Sequence, residues 1–337
     1  MSLPATPARA HSGTVPTLSA IPLRDRFGIC QWFHFDDHAA VDRSITLLRE
    51  LGIRHLRTGV SWADYHRPGG PAWVRHLLTA LREFEILLCV WHTPPSISLG
   101  HHCASPPRRL LDFADFIDHL ITQFPNQFAA LELWNEPNNR YKWDFRRYDP
   151  HWRKFAEMVG AAAYWAQQRG IPVVLGGMMP VDPHWLDLMI RYGVTAHVDR
   201  IGIHGFPGMW WDGGRNWDWH HQWNGWDEKI TSLAHARRPV WITETGLATW
   251  CRRSGAMAKH DLQAEQLIQA THAPAPRTYW YSLIDLDPLR PAIEGFHVDE
   301  NEYHLGLVTY AGRKKPAFLA LQQLLADAHE ATRTSTP

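Results

Sequence analysis

The feature that most constrains this chain is a recurrence of short β-rich runs, each followed by a helix-like stretch. The runs are RFGICQWF (26–33), RHLRTGV (54–60), EILLCVW (85–91), FAALELWN (128–135), PVVLGGM (172–178), RIGIHGF (200–206), PVWITET (239–245) and TYWYSLI (278–284). Several are apolar throughout rather than alternating, as expected of strands covered on both faces. Between them, helical spacing of apolar residues covers 36–51, 71–84, 106–124, 150–169, 182–192, 223–236, 259–270 and 316–327. Gly52 and Gly170 sit where helices stop, and Ser105 precedes a proline-led start as an N-cap would. Eight strands alternating with eight helices predict the α/β class and a single (β/α)8 TIM barrel with long βα loops. A doubly wound open sheet is the alternative, but no Gly-rich phosphate loop follows the first run.

The length of 337 residues fits one such barrel, expected over 26–329 between a flexible N-terminal tail (1–25) and a short C-terminal tail (330–337). Thirty-four basic residues balance 34 acidic ones, so no face is marked for nucleic acid or an anionic membrane. No run of about 18 apolar residues offers a spanning helix. The first 22 residues lack a secretory apolar core. Cys30, Cys89, Cys103 and Cys251 show no paired spacing. Free thiols and a cytoplasmic location are therefore expected. Eighteen tryptophans and 22 histidines exceed the usual share severalfold. Flat indole faces suit a large core or a site that stacks flat ligands such as sugar rings.

Two runs end alike. Strand four closes on Trp134-Asn135-Glu136-Pro137, and strand seven on Thr243-Glu244-Thr245-Gly246. Barrel strands deliver residues at their C-terminal ends to a shared cavity, and Pro137 stops its strand directly after the acid. Paired carboxyls suit glycosidic cleavage. One protonates the leaving oxygen, while the other traps or stabilises the oxocarbenium-like centre. The alternative for either glutamate is an ordinary rim ion pair with an arginine.

With WNEP on strand four and ITETG on strand seven, the chain resembles the clan of retaining glycoside hydrolases built on (β/α)8 barrels. WNEPN is especially similar to the β-xylosidase branch and its exopolysaccharide-hydrolysing relatives. The resemblance implies Glu136 as general acid/base, Glu244 as nucleophile, and Asn135 holding the sugar 2-hydroxyl. It further implies Arg57 keeping the nucleophile charged, with His92 and His204 lining the site. The clan's strand-six tyrosine is replaced by Phe206, which implies another arrangement around Glu244 or a tyrosine from elsewhere. Strand eight would supply an aromatic floor. Spacing to Asp285 favours Tyr281, residue type favours Trp280, and both remain candidates.

The loop 206–226 carries Trp210, Trp211, Trp217, Trp219, Trp223 and Trp226. Trp210 and Trp211 are the candidate sugar platforms; the competing reading is that these rings pack the loop down. Trp143, Arg146 and the polar segment 293–304 are further candidates. The histidine pairs at 101–102 and 220–221 lack CxxC or HExxH companions. No metal and no cofactor is therefore expected. The leading expectation is a β-glycosidase acting on a carbohydrate substrate by double displacement, with carboxyls about 5–5.5 Å apart. A transglycosylase and a carbohydrate-binding pseudoenzyme are the alternatives.

Overall fold

The structure is a computed structural model, and it describes residues 21–207, 209, 225–250, 259–292 and 300–334, with side chains as far as 328. Eight parallel strands close into a barrel in sequential order. They are β1 (Phe27–Cys30), β2 (His55–Ser61), β3 (Glu85–Trp91), β4 (Ala130–Leu133), β5 (Val173–Met178), β6 (Arg200–His204), β7 (Val240–Thr245) and β8 (Thr278–Tyr281). Each is followed by its helix: α1 (His38–Leu51), α2 (Gly70–Ala80), α3 (Leu111–Gln123), α4 (Arg153–Gln168), α5 (Pro183–Arg191), α6 (Gly225–Ser232), α7 (His260–Thr271) and α8 (Pro316–Thr334). The α/β barrel expected from the alternation is the fold observed. No described helix is long and apolar enough to cross a membrane.

Local chemistry explains most boundaries. Asp37 caps α1 by accepting from the Ala40 N–H at 3.0 Å, and Gly52 closes it in the left-handed region at φ 69°. Asp182 caps α5 through the N–H groups of His184 and Trp185. Two starts differ from the pattern. The third helix begins at Leu111 rather than Pro106, because 106–108 pairs antiparallel with 97–99. The Leu99 N–H donates to the Pro106 carbonyl, and Arg108 N–H to that of Ile97. Ser105 therefore caps no helix; its hydroxyl accepts from Gly100 N–H at 2.9 Å and ties the β3–α3 loop instead. The fourth helix begins at Arg153 rather than Pro150. The Asp149 carboxylate accepts from Lys154 and Phe155 N–H, capping it from outside. The last helix runs on to Thr334, beyond the periodic stretch ending at 327.

The interior is layered. Register places Gly28 beside His55 and Tyr279, and Cys30 beside Arg57 and Tyr281. A side chain on Gly28 would lie 2.8 Å from the Tyr279 ring, so the glycine makes room for that phenol at the barrel floor. The next layer up is charged, and it carries the site. Above it, the Asp285–Lys315 pair fixes the loop after β8. Lys315 Nζ donates to Asp285 at 2.8 Å and to Thr249 at 3.0 Å, and Asp285 also accepts from Gly306 N–H.

Candidate active site

Arg57 stands on β2 inside the barrel with no exposed surface. Its Nε donates to Glu132 at 2.5 Å, one terminal nitrogen to Glu244 at 2.5 Å, and the other to the Asn135 side-chain oxygen at 2.8 Å. Burial disfavours a charged guanidinium, but Glu132 and Glu244 outweigh it and hold the pKa well above the usual arginine value. Glu132 is fully buried on β4, and its second oxygen accepts from Gly177 N–H at 2.9 Å. A side chain at Gly202 would come within 3.1 Å of that oxygen, so small residues on β5 and β6 leave space for the acid.

Past Leu133 the chain leaves the strand sharply. Trp134 has φ 76° and Glu136 φ 45°, left-handed values uncommon outside glycine. The indole of Trp134 is buried and donates to the Lys142 carbonyl at 3.0 Å, pinning the loop that follows. This bend brings Glu136 over the cavity. One of its oxygens is hydrogen-bonded to His204 Nδ1 at 3.1 Å, the other accepts from the Asn139 amide at 3.2 Å.

Glu244, from the end of β7, faces it. Its Oε1 accepts from Arg57 and from the indole N–H of Trp32 at 3.1 Å, with the Cys30 thiol at 3.8 Å. Its Oε2 lies 3.5 Å from His204 Nδ1. The ligating atoms of Glu136, His204 and Glu244 all lie within 4.8 Å of one another. His204 thus bridges the two acids. Burial pushes the Glu136 carboxyl up, yet the His204 hydrogen bond, the Lys142 charge and Asn139 outweigh it and leave it below the ordinary value. Lys142 is itself buried, and its ammonium sits 5.4 Å from the Trp91 ring centre.

The remaining candidates fall as follows. His92 has φ 65°, stacks on Trp91 at 3.7 Å, and is pulled to a pKa of about 3 by burial and by Lys142. It is a neutral group. Of the strand-eight aromatics, Tyr281 shares the inward register of Cys30 and Arg57, and its pKa is raised by burial and by nearby carboxylates that include Glu302 and Glu244. Trp280 registers with Ile29 and Thr245 on the opposite face, away from the acids. Phe206 packs edge-on to Tyr281 at 6.3 Å and supplies no donor to Glu244; Trp32 does. Trp143 is fully buried beneath the β4–α4 loop, with its N–H on Asp149, so it packs rather than presents a face. Trp226 likewise lies buried against Gly205. Trp210, Trp211, Trp217, Trp219, Trp223, His220, His221 and Cys251 lie outside the described residues. Cys30, Cys89 and Cys103 are free thiols.

Reading the sequence missed Trp32, Glu132 and Lys142. Glu132 carried a signal: it is a lone charge inside an otherwise apolar strand.

No family model matches the chain, and no curated protein matches it. Solved structures with a similar fold include a family 39 glycoside hydrolase from the gut symbiont Bacteroides cellulosilyticus WH2. Its TM-score is 0.64 at 16% identity, covering 91% of this chain and 65% of that one. A GH39 β-xylosidase from Caulobacter crescentus gives 0.62 at 16%, covering 90% and 71%. A GH5_18 protein from Bifidobacterium longum subsp. longum, solved with Manb1-4GlcNAc, gives 0.65 at 16%, covering 91% and 79%. At such identities the likeness is one of fold.

The charge balance around Arg57 gives a direct expectation. Arg57→Met leaves Glu132 and Glu244 buried without their cation, and denaturant unfolding should show a loss of about 3–5 kcal/mol. The double substitution with Glu132→Gln should recover part of that loss. An Arg57→Met protein as stable as wild type would contradict the network.

Proposed function

We propose that this protein is a retaining β-glycosidase that cleaves an oligosaccharide or glycoside through a glycosyl-enzyme. The observation that carries the reading is the facing pair Glu136 and Glu244, with ligating atoms within 4.8 Å at the ends of β4 and β7. Retaining enzymes hold their carboxyls about 5–5.5 Å apart, whereas inverting ones leave about 6.5–9.5 Å for a water. The close approach of the two acids supports the retaining arrangement.

In this reading Glu244 attacks the anomeric carbon while Glu136 gives its proton to the leaving oxygen. The C–O bond to the leaving group breaks as the bond to Glu244 forms. Glu136, now a carboxylate, then takes a proton from water, whose oxygen displaces Glu244. Arg57 places an opposite charge against the attacking group. Asn135, its oxygen held by Arg57, has its amide N–H groups to offer a sugar hydroxyl. Tyr281 forms a wall beside Glu244, and neutral His92 supplies a hydrogen-bonding edge. Trp210 and Trp211 follow β6 in sequence, where platforms for further sugar units would lie. The fold neighbours named above include a β-xylosidase and a protein solved with a disaccharide, which agrees with a carbohydrate substrate.

A panel of aryl β-glycosides tests this. Wild type should release the aryl alcohol from at least one, and Glu244→Gln should lose at least roughly 10³-fold in kcat. Glu136→Gln should lose less on activated aryl leaving groups, which need little protonation, and much more on alkyl glycosides. Equal losses on both would argue against Glu136 as the acid.

The pH profile has a definite sign. An acid catalyst works only while protonated, so the alkaline limb follows its titration. Lys142 helps hold Glu136 below its ordinary value. Lys142→Met should therefore move the alkaline limb of kcat/KM to higher pH. A limb that stays or moves down would exclude that control.

A further inference from the structure

We infer that Trp32, just past β1, is a positioning residue for the Glu244 carboxylate, and that Gly59 is what allows the indole to sit there. The contact is independent of what the protein does; its catalytic meaning rests on the glycosidase reading above.

The geometry sets one oxygen of Glu244 apart from the other. Oε1 receives both the Arg57 guanidinium at 2.5 Å and the Trp32 N–H at 3.1 Å. Oε2 has the 3.5 Å contact to His204 Nδ1, on the side of Glu136. A carboxylate held by Arg57 alone could still turn about its terminal bond. Two donors converging on Oε1, one from β2 and one from just past β1, fix the plane. Oε2 is thereby the oxygen presented to the cavity, and in the proposed reaction it forms the glycosyl bond.

The indole is held from several sides. The Arg57 guanidinium lies 5.1 Å from its ring centre, and Trp91 is tilted against it at 5.3 Å. Gly59 faces inward two residues after Arg57. A Cβ there would fall 1.7 Å from Cζ3 of Trp32, so any other residue must displace the ring. With only 8% of its surface exposed, Trp32 is not an open stacking platform.

Other groups also face Glu244: Cys30 from β1, Arg57 from β2, Glu136 and Lys142 from the β4 loop, His204 from β6 and Tyr281 from β8. The test must therefore separate the indole donor from them. In protein labelled with ¹⁵N-tryptophan, the Trp32 indole signal is assigned as the one missing from Trp32→Phe. It should lie downfield in wild type and move upfield in both Glu244→Ala and Gly59→Ala, with thermal unfolding run alongside to show that each variant folds. A Trp32 signal indifferent to Glu244→Ala overturns the contact, whether or not any glycoside is turned over.

Kinetics then test the role. Removing a donor to a charged group should lower kcat/KM roughly ten- to a hundredfold, through kcat rather than KM. The same loss should appear in Gly59→Ala, which displaces the indole without removing it. A Trp32→Phe protein that folds and keeps the kcat of wild type would overturn the positioning role. No turnover of any glycoside by wild type would sink the glycosidase reading instead, leaving the indole signal to decide the contact.

Discussion

The site depends on one guanidinium placed where water does not reach. Arg57 sits inside the barrel and distributes its donors to Glu132, Glu244 and Asn135. A buried cation is expensive unless paired and fully hydrogen-bonded. Glu132 supplies the balancing charge, so Glu244 need not be the cation's sole counter-ion and can remain available at the rim. The surrounding strands are shaped for this layer. Gly59, Gly177 and Gly202 each stand where a side chain would collide with Trp32, His204 or Glu132. Fold and chemistry are coupled here: the closed barrel excludes water, and low polarity makes each charge placement count for more.

The second constraint is the backbone after β4. A strand ended by Pro137 and bent through left-handed residues at Trp134 and Glu136 turns the acid over the cavity rather than along the strand axis. The buried Trp134 indole on the Lys142 carbonyl holds that bend. His204, on β6 beside β7, is hydrogen-bonded to Glu136 and lies 3.5 Å from Glu244. Backbone strain of this kind persists only when its surroundings over-determine it, and here a buried indole and a buried imidazole do so.

Much of this was legible in the sequence, for physical reasons. Parallel strands buried on both faces must be apolar throughout, so the eight runs were visible, and with them the barrel. Charged residues at strand tips are conspicuous against such runs, which exposed Glu136 and Glu244. Other features depend on relations that periodicity does not encode. Trp32 reaches Glu244 across 212 residues of sequence, through a gap that only the absence of a side chain at Gly59 creates. Glu132 looks like an interruption of a strand until its cation on β2 is placed beside it. Alternation alone could say that Trp280 and Tyr281 point to opposite faces. The register with Cys30 was needed to say which one points in. The misplaced helix starts have the same origin: Ser105 and Pro150 offer good local chemistry, but the loop pairing at 97–99 and the Asp149 carboxylate use the backbone differently.

In the proposed reaction Glu244 becomes covalently bonded to the sugar. Incubation with 2-deoxy-2-fluoro glycosides carrying a good leaving group, followed by mass spectrometry of the digested protein, tests it directly. One glycosyl adduct is expected, on the peptide carrying Glu244 and absent from Glu244→Gln, with Glu132 unmodified. Turnover of ordinary glycosides without any adduct, or an adduct on another residue, would contradict it.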